Sequence, residues 1–151
     1  MISSRSGKPK NDECYTPKWV FDDLGVQFDL DVCAPKGGTG LVPAYKYYSE
    51  EDDGLTSPWF GLVWMNPPYS KPTPWIEKFI EHGDGLCLVP TSKSKWFNSI
   101  WNAADAVTLM PANLKFVNNG KNFQISFQTV MFAMGENATA AIHRLNTSRV
   151  R

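Results

Sequence analysis

The chain has 151 residues, 15 basic and 15 acidic, enough for one domain with a true core and too few for two. Zero net charge supplies no global basic field of the kind that holds nucleic acid by charge alone. Three cysteines without a CxxC pair and two histidines far apart exclude a disulfide scaffold, a structural zinc site and a histidine metal cluster.

No apolar run is long enough to cross a membrane and the polar N-terminus does not read as a signal peptide, so a reducing, cytoplasmic setting is expected. Charge is uneven along the chain: Arg5, Lys8 and Lys10 lie near the start, Arg144, Arg149 and Arg151 near the end, and the acidic run EEDD covers Glu50 to Asp53. The division expected is a flexible arm at 1–12, a globular domain at 13–140 and a basic tail at 141–151.

In chain order, TPKWVFDDLG predicts a short helix, with Thr16 as N-cap, Pro17 in the first helical position and Gly25 as the stop. VQFDLDVCA alternates apolar and polar residues and predicts a strand. Residues 35–58 read as loop, and PKGGTG within them lacks the Gly-Lys-Ser/Thr ending of a phosphate loop. FGLVWM predicts a buried strand; TPWIEKFIEHG a helix capped by Thr73, opened by Pro74 and ended by Gly83; and GLCLVP a second buried strand. SKWFNSIWNAAD predicts a helix, with its aromatic and aliphatic residues at helical spacing, and AVTLMP a strand. The stretch from Leu114 to Met134 reads as two strands joined by a long loop, despite the turn signal Asn119-Gly120. Strands alternating with helices and finishing in an antiparallel β-pair specify a single α/β domain with a mostly parallel sheet. Ligands bind such sheets beyond the carboxyl ends of the strands, which is where DVCAP and NPPY fall.

NPPY, Asn66 to Tyr69, is an odd way to end a strand. Neither proline can donate to a ladder, and Gly or Asp would turn the chain more easily. The arrangement makes chemical sense as a receptor for an amino group. The Asn66 side chain and the Pro67 backbone each offer a carbonyl oxygen, the prolines stiffen both, and Tyr69 adds a flat face. Two acceptors on the hydrogens of a planar –NH₂ favour a more tetrahedral nitrogen and free its lone pair for attack.

With NPPY in place, five ordered stretches carry a resemblance: DECYTPKWVFDDLG, FDLDVCAP, YYSEEDDGL, the run ending in NPPYS, and LVPTSKSKWF. Together they resemble the compact phage-type DNA adenine-N6 methyltransferases, the Dam-like family, from about Asp12 to Met134. The resemblance implies a Rossmann-like methyltransferase domain, shortened between the cofactor motif and NPPY. It also implies S-adenosylmethionine as cofactor, double-stranded DNA as partner, and no metal or membrane. The catalytic residues it implies are Asn66, Pro67, Pro68 and Tyr69, acting on an adenine flipped from the duplex. Tyr15, Thr16 and Pro17 resemble the motif near the methionine end of the cofactor. Asp31 resembles the acid of the cofactor strand, and Asp53 the acid that accepts from the cofactor's adenine amine. Glu50, Glu51 and Asp52 all remain candidates for the ribose hydroxyls. Ser70, Lys93, Lys95 and Trp96 fall to the substrate side, the lysines for phosphates and Trp96 either stacking or packing inward. Phe123 and Phe127 are read as core, with a wall of the base pocket as the alternative. Two rival functions fit the same motif: methyl transfer to RNA bases or protein glutamine, and an inactive methyltransferase fold that only binds.

Overall fold

Short apolar runs cut by glycine and proline become strands, and the amphipathic runs between them become helices. The computed structural model describes residues 15–111, 114–118, 121–124 and 127–145. The arm at 1–12 with Arg5, Lys8 and Lys10, then Cys14, and Arg149 and Arg151 near the end, lie outside the described residues. The strands in chain order are β1 (Phe28–Asp31), β2 (Ala44–Tyr47), β3 (Val63–Met65), β4 (Gly85–Pro90), β5 (Ala106–Leu109), β6 (Lys115–Asn118), β7 (Lys121–Gln124) and β8 (Thr129–Met134). The helices are α1 (Lys18–Leu24), α2 (Thr73–His82), α3 (Lys95–Ala103) and α4 (Glu136–Ile142).

Six strands form one sheet in the order β2-β1-β3-β4-β8-β5. The first four run parallel, and β8 enters antiparallel between β4 and β5. This is the expected α/β sheet, mostly parallel with antiparallel strands late in the chain. The central strands are buried on both faces, as a covered parallel sheet requires. Trp64, Leu86, Leu88, Met131 and Ala133 pack on one side with α1 and α4. Val63, Met65, Cys87, Val89 and Phe132 pack on the other with α2 and α3. The ring of Trp64 meets Phe21 edge-on at 4.8 Å and Phe28 at 5.7 Å, fixing α1 against β1 and β3. Such pairs add about 0.5–1.5 kcal/mol each beyond the area they bury.

Three local expectations give way to longer-range pairing. Residues 35–58 contain β2, which pairs parallel with the outer side of β1. No helix lies between β1 and β3, so the chain is short there in the way the resemblance implies. The late segment holds three strands rather than two. β6 and β7 pair with each other in a register that leaves only Asn119-Gly120 between them, positions outside the described residues, while β8 joins the main sheet. The third difference is α4. Ala141 and Ile142 are fully buried, Leu145 nearly so, and Arg144 Nε donates to the Leu24 carbonyl at 2.8 Å. Residues 141–145, read as the start of a tail, therefore close the core and cap the end of α1.

The threonine caps are also corrected. Pro17 occupies the N-cap of α1 and Pro72 that of α2, with no side-chain cap in either. Thr73 and Pro74 then fall in the first turn of α2, where a missing N–H costs nothing. Gly25 and Gly83 do end these helices, at φ of +65° and +74°.

The docking of α4 yields a stability prediction. Ile142→Ala should cost about 2–5 kcal/mol, the range for deleting a fully buried aliphatic side chain, read as a drop in the urea midpoint. A midpoint unchanged from the parent would mean that α4 does not carry the core.

Candidate active site at the carboxyl edge of the sheet

Because β1 and β3 are adjacent, their carboxyl ends open on one edge, with Leu30 paired to Val63 and Asp31 to Trp64. A cavity of about 890 Å³ opens there, within the size range of small-molecule sites. Its floor is the turn that follows β1. Val32 N donates to the Trp64 carbonyl at 3.1 Å and Ala34 N to Tyr48 at 2.8 Å, so the chain leaves the ladder between its two neighbours. Asp31 is 97% covered by its surroundings, being 3% exposed, and its Oδ1 accepts from Cys33 N at 3.3 Å. It shapes the turn from beneath, while Cys33 to Lys36 line the cavity.

The acidic run forms the side wall, and the structure separates its members. Asp52 is committed to the loop: its Oδ2 accepts from Ser49 N at 2.9 Å and Ser49 Oγ at 3.2 Å. Glu50, Glu51 and Asp53 line the cavity. Glu51 meets Lys36 at 3.7 Å across two exposed side chains, a pair worth little in stability. Asp53 has φ of +53°, the one non-glycine residue in the left-handed region among those described. Aspartate tolerates this better than most residues, and Oδ1 accepting from Leu55 N at 3.2 Å supports it. Gly54 comes next because nothing larger fits: a Cβ there would overlap the Val32 carbonyl and come within 2.9 Å of the Trp75 ring.

NPPY follows the end of β3. Pro67 is buried, Pro68 lines the cavity, and Lys71 N donates to the Pro68 carbonyl at 3.2 Å to close the turn before α2. Tyr69 lies toward the other neighbouring strand. Its hydroxyl donates to Leu88 of β4 at 3.3 Å, and its ring stands edge-on to Phe127 at 5.7 Å and 83°. The motif thus forms a partition, with the cavity on the β1 side and the Tyr69–Phe127 pair on the β4 side. β8 begins beside the end of β4, where Thr129 pairs with Pro90 and Thr91 N donates to Gln128, and this brings Phe127 to the same edge.

The segment before α1 forms the third wall. Tyr15 lines the cavity and pairs with Val117 of β6 through N–H···O bonds of 3.1 and 2.8 Å. Thr16 is 3% exposed and its Oγ1 has no hydrogen-bond partner among the described residues. A buried hydroxyl without a partner is costly and calls for an explanation.

Of the residues singled out in the sequence, Tyr15, Asp53 and Pro68 share the cavity, with Asp31 under it and Asn66, Pro67 and Tyr69 in the adjoining turn. Thr16 and Pro17 are buried next to Tyr15. Ser70, Lys93 and Lys95 are exposed and do not line the cavity. Trp96 is half-buried against the α2–α3 side of the core, edge-on to Phe97 at 5.7 Å, so packing accounts for it. Side-chain placement of Phe123 lies outside the described residues. Sequence reasoning missed Trp75, absorbed into a helical stripe, and Tyr48, which lines the cavity and donates to the Pro58 carbonyl at 2.6 Å. It also ranked Phe127 as core. Among the described residues, no group of three or more His, Cys, Asp or Glu could hold a metal ion, and no helix is long and apolar enough to cross a membrane.

Comparison with known proteins identifies the family. The sequence profile of the DNA N-6-adenine-methyltransferase (Dam) family matches residues 3–147. The chain is 31% identical over 131 residues to the DNA N-6-adenine-methyltransferase of Haemophilus phage HP1, covering 79% of this chain and 74% of that protein. It is 30% identical over 132 residues to the protein of the same name from Escherichia phage T1, covering 77% of this chain and 53% of the relative, about half its length. An NPPY partition beside a ligand-sized cavity, in a chain matched almost end to end, places this protein in the DNA N-6-adenine-methyltransferase (Dam) family.

Proposed function

We propose that this chain transfers a methyl group from S-adenosylmethionine to the exocyclic N6 amine of adenine in DNA, with the target base turned out of the duplex into the NPPY turn. The observation that carries the reading is the partition itself: Pro68 on the cavity and Tyr69 facing β4 and Phe127, one residue apart.

The residues present fit the cofactor. The cavity has the volume for it, Gly54 forms a cradle that a side chain would fill, and the buried Thr16 hydroxyl beside Tyr15 lacks a partner among the described residues. Asp53 accepts from the adenine amine of the cofactor. Glu50 and Glu51 take the ribose hydroxyls, since the Asp52 carboxylate is occupied by Ser49. Tyr15 and Thr16 meet the methionine end, and Trp75 and Pro68 supply apolar walls. When bound, S-adenosylmethionine supplies a methyl group on a positively charged sulfur, electrophilic enough that no strong base is needed.

On the other side of the partition, Asn66 Oδ1 and the Pro67 carbonyl accept the two hydrogens of the target amine. The nitrogen becomes more tetrahedral and turns its lone pair toward the cavity. This nitrogen would take the methyl that bound S-adenosylmethionine supplies, the sulfur keeping the electron pair of the broken bond, and the proton on the methylated amine would pass to solvent. Tyr69 stacks on the extruded base, with Phe127 holding the tyrosine ring in place from its edge. Orientation and a water-poor pocket supply most of the acceleration.

Two outcomes are expected. Asn66→Ala should slow methyl transfer to duplex DNA by about a hundredfold or more, comparable with removing one polar group of an active-site cradle, while calorimetry finds cofactor affinity essentially unchanged. Parallel loss of both would place Asn66 in the fold rather than in the reaction. Thr16→Val removes the unpartnered hydroxyl without changing shape, so the free protein should melt at the same temperature or higher. The thermal stabilisation that S-adenosylmethionine confers should shrink. An unchanged cofactor-induced shift would remove Thr16 from the cofactor site.

A further inference from the structure

Lys78 projects from the second turn of α2 back toward the loop that follows Asp53. Its Nζ donates to three backbone carbonyls, those of Gly54 at 3.2 Å, Leu55 at 2.9 Å and Ser57 at 2.6 Å. An ammonium has three N–H donors, and all three are used here. The Gly54 carbonyl also accepts from Trp59 Nε1 at 2.7 Å, and the Lys78 ammonium lies 5.1 Å from the Trp59 ring. Burial pushes the Lys78 pKa below its ordinary value, and the carboxylates of Asp53 and Glu81 oppose that shift. The other ties of the loop are all internal to residues 50–57: Leu55 N donates to Asp53 Oδ1, Asp53 N to the Glu50 carbonyl, Thr56 N, Thr56 Oγ1 and Ser57 N to the Asp53 carbonyl, and Ser57 Oγ to that of Asp52, so Lys78 is what fastens the loop to α2.

We propose that Lys78 is a positioning residue for the cofactor: its ammonium gathers the 54, 55 and 57 carbonyls and so holds Asp53 in the left-handed conformation that sets its carboxylate at the cavity. The inference rests on the reading of Asp53 as a cofactor-binding acid. It assigns Lys78 no contact with cofactor or DNA. The three carbonyls converge only because the chain reverses after Asp53, and carbonyl dipoles aimed at one point repel one another without a cation between them. Removing the ammonium lets the loop relax and lets φ of Asp53 return to negative values. Because α2 starts just after NPPY, the same lysine ties the acid loop to the helix that follows the catalytic turn.

The test compares Asp53→Asn, Lys78→Met and the double variant, using S-adenosylmethionine binding by calorimetry and steady-state transfer to duplex DNA. Asparagine accepts the left-handed conformation, so Asp53→Asn removes charge without forcing the backbone. Each single variant should weaken cofactor binding by about tenfold, the scale of one charge-assisted hydrogen bond. For Lys78→Met the loss should appear in KM for the cofactor, with kcat at saturation within about twofold of the parent, and the double variant should bind no more weakly than Asp53→Asn alone. Unchanged binding in Lys78→Met beside a clear loss in Asp53→Asn overturns the role of Lys78 and leaves the acid assignment standing. Losses that multiply in the double variant overturn it too, because Lys78 would then act by another route. Unchanged binding in Asp53→Asn overturns the acid assignment itself. Should Lys78→Met not fold, Lys78→Gln, which keeps two N–H donors, is measured against the same expectations.

Discussion

The carboxyl edge of this sheet is organised by the two prolines after Asn66. Without N–H groups they cannot extend the ladder, so β3 ends at Met65 while β4 beside it continues to Pro90. The step between a short strand and a longer neighbour leaves a recess. One side faces the turn after β1 and the acidic loop; the other faces β4, where the Tyr69 hydroxyl reaches the Leu88 carbonyl. In the proposed reaction the methyl donor takes the first side and the target base the second, with the width of one stiff turn between them. A flexible turn at this position would leave the two carbonyls of Asn66 and Pro67 without a fixed direction, and direction is what an amine receptor needs.

The elements around this turn are short, and their support comes from one another. β2 presents its side chains largely to solvent and has a neighbour only on the β1 side, yet it delivers Tyr48 and Ser49 to the cavity. The acid loop that follows is held by a lysine and a tryptophan through its carbonyls rather than by regular structure. Tyr15 is fixed by pairing with Val117, so the wall of the cavity before α1 depends on a strand more than a hundred residues later. In a chain of 151 residues, such long-range ties take the place of the extra helices that a larger fold would provide.

The stop of β3 before NPPY was legible in the sequence because its cause is local. Proline cannot pair and asparagine need not be there, so Asn66 to Tyr69 stood out as a candidate site before any neighbour was known. The strands ending in Asp31 and Met65 were legible for similar reasons, being apolar runs bounded by breakers. What was not legible depended on partners. β2 is short and exposed, and only its pairing with β1 defines it. The run from Lys115 to Met134 carries a strong turn signal and several β-formers, but nothing local says that β8 leaves its neighbours to lie between β4 and β5. ENATAAI, the sequence of α4, has small side chains with no broad apolar stripe, so its burial shows only once Ile142 and Leu145 meet the sheet. Thr16 is the instructive case. Its cap-like position before a proline is an ordinary helix start, and the structure moves the cap to Pro17 and leaves a buried hydroxyl with no partner among the described residues.

The central claim, that the Asn66–Pro67 carbonyls receive the N6 amine of adenine in DNA, is tested most directly by the product. Labelled methyl from S-adenosylmethionine is offered in parallel to unmethylated duplex DNA, RNA and protein, and the nucleosides and amino acids are then separated. The account predicts label in DNA alone, all of it as N6-methyladenine. Label in RNA or in glutamine, or none in DNA while the cofactor binds, would contradict it.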